Sequence, residues 1–118
     1  MYQNWDESSY PANETFCASI AKIDEQLRRQ PLRWALSAAD RVAYRTDWKP
    51  GKLAFYRSLI LLGDTIGPPC FKLTPKGTNA DIVEGRHRIY AFHEAGYDRV
   101  LVWCEPEVHQ QLQTLIGV

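Results

Sequence analysis

A single glycine joins an apolar run to a charged helical pattern in Ile82-Val83-Glu84-Gly85-Arg86-His87-Arg88, and that junction limits what the chain can fold into. The run before Gly85 reads as a strand. The pattern after it, with Ile89, Phe92 and Ala95 on one side, reads as a helix that ends at Gly96. A strand that becomes a helix within one residue aims the helix's unpaired N–H groups at whatever lies before it. Two guanidiniums and an imidazole at the same point (Arg86, His87 and Arg88) make an anion the expected ligand and phosphate the expected anion. Consecutive helical side chains diverge by about 100°. One or two of the three can therefore reach a single phosphate, and the third packs or pairs elsewhere.

Hydrophobic periodicity orders the rest of the chain. Asn13 is expected to cap a first helix whose apolar face is Phe16, Ile20, Ile23 and Leu27, with Pro31 ending it. A second helix is expected over residues 32–45 and a third over Lys52 to Leu62. The third is apolar almost all round and is expected at the centre of the core. Cys70 to Thr74 and Asp81 to Glu84 read as strands joined by a connection containing Gly77, and Arg99 to Cys104 reads as a further strand. A last helix from Pro106 buries Val108, Leu112, Leu115 and Ile116. The order α-α-α-β-β-α-β-α predicts an α+β fold with a small mixed sheet. Residues 1–12 are expected to be irregular.

The chain of 118 residues is expected to form one domain. Its net charge of zero argues against nucleic-acid binding by bulk electrostatics. The charge is uneven along the chain, however. Residues 1–20 hold three acids and no Lys or Arg, residues 21–57 nine bases against four acids, and residues 58–118 five bases against seven acids. No apolar run is long enough to span a membrane, and the polar, acidic start lacks the layout of a signal peptide. Cys17, Cys70 and Cys104 are odd in number and far apart, which fits buried thiols in a reducing compartment, with the cytoplasm as the default. No metal site is indicated by the spacing of His and Cys.

Glu84-Gly85-Arg86-His87-Arg88, with Ala91, Gly96 and Val100-Leu101-Val102, resembles the core of the ParB/sulfiredoxin-like superfamily. There an acidic-Gly-x-His-Arg or Gly-Glu-Arg-Arg box carries a strand into a helix that ends at Gly before another strand. The resemblance covers residues 53–104, which leaves 1–50 as a helical N-terminal extension and 105–118 as a C-terminal helix. It implies that His87 and Arg88 lie nearest the phosphate, beside Gly85, with Arg86 less central. It also implies that Glu84 acts as a base, or as a partner of Mg²⁺ arriving with a nucleotide. The alternative for Glu84 is an ion pair with Arg88 at i, i+4. Sulfiredoxin's reactive cysteine falls at the position of Arg86, so its thiol chemistry is excluded here. Chromosome-partition members end their box in Arg-Arg and continue into a helix-turn-helix domain, and with 14 residues after Cys104 this chain is not expected to be a full partition protein.

Trp34, Arg41, Arg45 and Trp48 place large aromatics beside cations in the basic middle of the chain. Such a group serves either core packing or a partner-binding face. Two functions therefore stand at this stage. The first is a phosphate- or nucleotide-binding domain, a candidate for phosphoryl transfer or hydrolysis with Glu84 and His87 as the catalytic pair. The second is a non-catalytic protein of phage or plasmid type that binds a host protein or nucleoprotein complex.

Overall fold

The hairpin after the third helix supplies one interior strand and one edge strand of a four-stranded mixed sheet. In a computed structural model of the protein, residues 11–30, 33–44 and 48–118 are described. Arg45 lies outside them, as do the first ten residues, expected to be irregular, and the expected start of the second helix. The elements run β1 (Thr15–Ser19), α1 (Ile20–Leu27), α2 (Ala38–Ala43), α3 (Pro50–Leu62), β2 (Cys70–Leu73), β3 (Ala80–Glu84), α4 (Arg86–Glu94), β4 (Arg99–Trp103) and α5 (His109–Ile116), with short 3-10 turns before β1 and α5. The strand order is β1-β4-β2-β3. β2 and β3 pair antiparallel with a bulge at Cys70/Phe71, and α4 then returns the chain to β4, which runs parallel to β2 and antiparallel to β1. The fold is α+β.

The N-terminal segment departs from expectation. Residues 15–19 form a strand, and Ser19 rather than Asn13 caps α1, its side chain accepting the Lys22 N–H. A step of four between Phe16 and Ile20 suits a helix, but it is also two periods of a strand. Five register pairs with β4 decide between them, with Phe16 and Ala18 buried and their neighbours half-buried. The second helix shrinks to six residues. The Ser37 side chain caps it by accepting the Asp40 N–H at 3.1 Å. The residues just before the cap stay non-helical and bury Trp34 and Ala35. α3 ends as expected but begins two residues earlier, at Pro50, and only Leu53 of its residues is buried. It packs on α4 as an outer element, not as the centre of the core.

Arg41 ties these outer helices together. It is 1% exposed, and its guanidinium sits 5.0 Å from the Trp48 ring and 4.6 Å from the Tyr90 ring. It donates to Leu36 O at 2.7 Å and to Glu94 Oε1 at 3.1 Å. The other carboxylate oxygen of Glu94 accepts two bonds from Arg57 of α3, so one carboxylate at the end of α4 fastens both α2 and α3. A buried cation held by two rings and a shared carboxylate is costly to truncate. Arg41→Ala should lower unfolding stability by about 2–4 kcal/mol, with Arg41→Lys recovering only part of it. Urea denaturation checks this, and a loss within ~0.5 kcal/mol would show the cluster to be ornamental.

Candidate functional site at the start of α4

Gly85 adopts φ 104° and ψ 15°, a left-handed conformation that lets β3 turn directly into α4. A side chain there has no space, because a Cβ would stand 2.7 Å from the Pro69 Cβ. Pro69 is held in turn from two sides. Its carbonyl accepts the Trp103 N–H at 2.9 Å, and the two residues before it are gripped by Arg88, whose Nη1 donates to Gly67 O at 3.0 Å and Pro68 O at 3.2 Å. The Arg88 guanidinium also lies 5.6 Å from the Tyr56 ring of α3. No hydrogen bond or ion pair joins it to Glu84, which is exposed at the end of β3, so the i, i+4 alternative is not the arrangement adopted.

The other two side chains of the box reach different segments. Arg86 donates to the Arg33 carbonyl. His87 Nε2 accepts the Lys49 backbone N–H at 2.7 Å, which fixes a neutral ring as the Nδ1–H tautomer, and the ring stands edge-on to Tyr90 at 6.0 Å. The three side chains diverge, as helical geometry requires, and each braces a loop around the start of α4.

The His87 contact also brings a second helix terminus to the first, a feature that the sequence reading did not identify. Lys49 is the N-cap of α3, Pro50 occupies its first turn, and neither α3 nor α4 has a side-chain cap. The amides of Gly51 and Lys52 on α3, and of Arg86, His87 and Arg88 on α4, therefore lack intrahelical acceptors. The flank of α3 at Gly51 is open, since a Cβ there would meet nothing within 4 Å. The His87 ring thus links two positive dipole ends, with Lys49 and Lys52 in the chain at one and Arg86 and Arg88 at the other. The signal in the sequence was Trp48-Lys49-Pro50-Gly51-Lys52, a turn with Pro in place for a first helical turn. Nothing local in that stretch says that it returns to His87.

Trp34 and Arg41 do not form the surface that a partner-binding role required. Both are buried, Trp34 donating from Nε1 to Asp24 Oδ1 at 3.0 Å and lying tilted at 45° to the Tyr90 ring with centroids 5.0 Å apart, while Trp48 is half-buried over Arg41. Their aromatic and cationic character serves the attachment of residues 33–44 and Trp48 to α4. Among the described residues no group of three His, Cys, Asp or Glu side chains is placed to hold a metal ion, and no helix is long and apolar enough to cross a membrane.

Cys70 and Cys104 are buried free thiols beneath the junction, and Cys17 is half-buried. Burial pushes the Cys70 thiol up to about 11, with the charges of Glu84 and Glu105 adding to the effect and Arg88 opposing it. Cys104 is likewise raised to about 11, first by burial and then by Cys70 and nearby carboxylates. Both stay protonated and unreactive near neutrality. Comparison of the chain with protein-family models, with curated proteins and with solved structures gave no match.

Two outcomes follow from this geometry. Gly85→Ala should cost about 2–4 kcal/mol, since it adds both positive-φ strain and the clash with Pro69. A fall below ~0.5 kcal/mol in urea unfolding would mean that the junction relaxes freely. The second concerns pH. The two thiols titrate higher folded than unfolded, so their contribution is intact below pH 9.0 and is lost as pH rises toward about 11. The drop in urea midpoint over that window should therefore be shallower in Cys70→Ala/Cys104→Ala, and equal slopes would contradict the raised values.

Proposed function

We propose that the chain is a phosphate-binding domain whose ligand class is the nucleotides, with the anion seated where the N-termini of α3 and α4 meet. The observation that carries this reading is the 2.7 Å contact of His87 Nε2 with the Lys49 amide, which sets two uncapped helix starts side by side. Backbone amides from two helices, rather than one, can then converge on a phosphate's oxygens. The resemblance of residues 53–104 to the ParB/sulfiredoxin-like superfamily supports the same corner.

The side chains have separable parts in this reading. Arg88 uses one nitrogen on the Gly67 and Pro68 carbonyls, so its guanidinium is oriented with further N–H donors to spare. A ligand that takes the Lys49 amide from His87 frees Nε2, which becomes a donor to the anion once protonated. Glu84 stands one residue before Gly85, outside the cationic group, where it suits Mg²⁺ carried by the ligand's phosphates or a proton-accepting role. A compartment that supplies nucleotides and keeps thiols reduced, the cytoplasm, fits this reading.

Thermal unfolding with ATP, CTP, GTP, their diphosphates and inorganic phosphate, with and without Mg²⁺, tests it. A ligand at ten times its Kd stabilises by about 1.4 kcal/mol, a rise in Tm on the order of 5 °C for a chain of this size. Arg88→Ala and Lys52→Ala should each reduce the rise, and His87→Ala with Arg88→Ala should abolish it. Glu84→Gln should keep the metal-free rise and remove any increment due to Mg²⁺. No rise with any of these ligands sinks the reading.

A further inference from the structure

Among the described residues, the largest side chain to be almost wholly buried is Arg41, a permanent cation. Holding α2 against α4 does not by itself call for a charge, since apolar side chains of similar volume often hold such a joint as well or better. The neighbours of Arg41 suggest a narrower task. Its guanidinium lies over the rings of Trp48, at 5.0 Å, and of Tyr90, at 4.6 Å. Trp48 immediately precedes Lys49, and Tyr90 follows His87 by three residues, about one helical turn. The two rings therefore belong to the two sides of the contact in which His87 Nε2 accepts the Lys49 N–H.

We propose that Arg41 is a positioning residue for the meeting of the two helix starts, acting through Trp48 on one side and Tyr90 on the other. Its guanidinium is fixed by the Leu36 carbonyl, at 2.7 Å, and by Glu94 Oε1, at 3.1 Å. A flat cation so fixed, lying over both rings, holds the entry to α3 against the side of α4. Tyr90 is set further by the Trp34 ring at 5.0 Å and by its hydroxyl, which accepts the Ala35 N–H at 3.4 Å. It meets the His87 ring edge-on, at 75° and 6.0 Å, and this contact orients the imidazole with Nε2 toward Lys49.

The functional consequence rests on the phosphate reading. Amides of two helices share one anion only while the two starts are held together, so a buried side chain that never touches the ligand sets its affinity by preorganisation. Arg57 supplies the contrast. It binds the same carboxylate, through Glu94 Oε2 at 3.1 and 2.8 Å, and fastens α3 farther along, but its guanidinium lies over neither Trp48 nor Tyr90. Loss of Arg57 weakens the joint between α3 and α4 without touching either ring. Loss of the Arg41 guanidinium removes the piece that relates the rings to each other.

Ring-nitrogen NMR of His87 in the ligand-free full chain, at about pH 8 where a free imidazole is neutral, reads the positioning directly. The unsubstituted ring should show Nε2 as the bare acceptor and Nδ1 carrying the proton, with a Lys49 amide slow to exchange. Arg41→Lys keeps the charge but not the flat guanidinium. It should let the Nε2–H tautomer appear and speed exchange of the Lys49 amide on the order of tenfold. Arg57→Ala should change neither signal. Trp48→Leu, which removes one of the two rings, should repeat the Arg41→Lys result and serves where that variant folds poorly. Signals unmoved by Arg41→Lys or by Trp48→Leu, or moved as far by Arg57→Ala, overturn the proposal. Titration of the same variants with ATP and inorganic phosphate separates it from the phosphate reading. The Kd should rise about tenfold in Arg41→Lys and hold in Arg57→Ala. A His87 signal that follows Arg41 while no variant binds either ligand upholds the positioning and sinks the phosphate reading, and tight binding with an unmoved signal does the reverse.

Discussion

The close packing of Pro69 on Gly85 sets where α4 begins, and most of the molecule is arranged around that start. A chain that leaves a strand and enters a helix through one residue must pass through left-handed backbone, and here the approach of a proline ring excludes any side chain as well. Pro69 cannot drift, because its carbonyl is in the sheet through Trp103 and its preceding carbonyls are in the grip of Arg88. The start of α4 is thereby locked to β2, β4 and the loop before them. His87 extends the lock to the start of α3, and Arg86 extends it to the segment before α2. Four separate stretches of chain register on a single helical turn.

That arrangement bears on how cations can serve an anion site. Arg86 and Arg88 are engaged with backbone carbonyls, which orients their guanidiniums without neutralising them. A carbonyl is a dipole and not a charge, so the positive field at the corner persists. Preorganised donors cost little entropy on binding, whereas free arginines would have to be ordered by the ligand. The far end of α4 is built with the opposite logic. There Glu94 meets Arg41 and Arg57 directly, and its charge is consumed in holding the outer helices.

The half of the chain from Lys52 onward was legible in its residues because its signals are local. Gly63, Gly77, Gly85 and Gly96 all take positive φ and mark element ends, and the strand and helix periods between them are unambiguous. Residues 12–45 were harder to read. Phe16 and Ile20 satisfy two periods at once, and only the pairing of residues 15–19 with β4, eighty or more positions away, selects the strand. The exposure of α3 was equally hidden, since an apolar helix reads as core unless the surface covering it is known. Glycine and the cations of the box pointed to one helix start. The other start, at Lys49, is joined to it by a contact across 38 positions that no local pattern encodes.

The central claim is that amides of two helix termini face one anion, and backbone amide shifts in a ¹⁵N-resolved NMR titration with phosphate and nucleotides read those groups directly. The account predicts that Gly51, Lys52, Arg86, His87 and Arg88 shift together along a single saturation curve. The Lys49 amide should move with them as it is drawn from His87. Shifts confined to one of the two helix starts, or spread over side-chain-rich loops with these six amides unmoved, would contradict it.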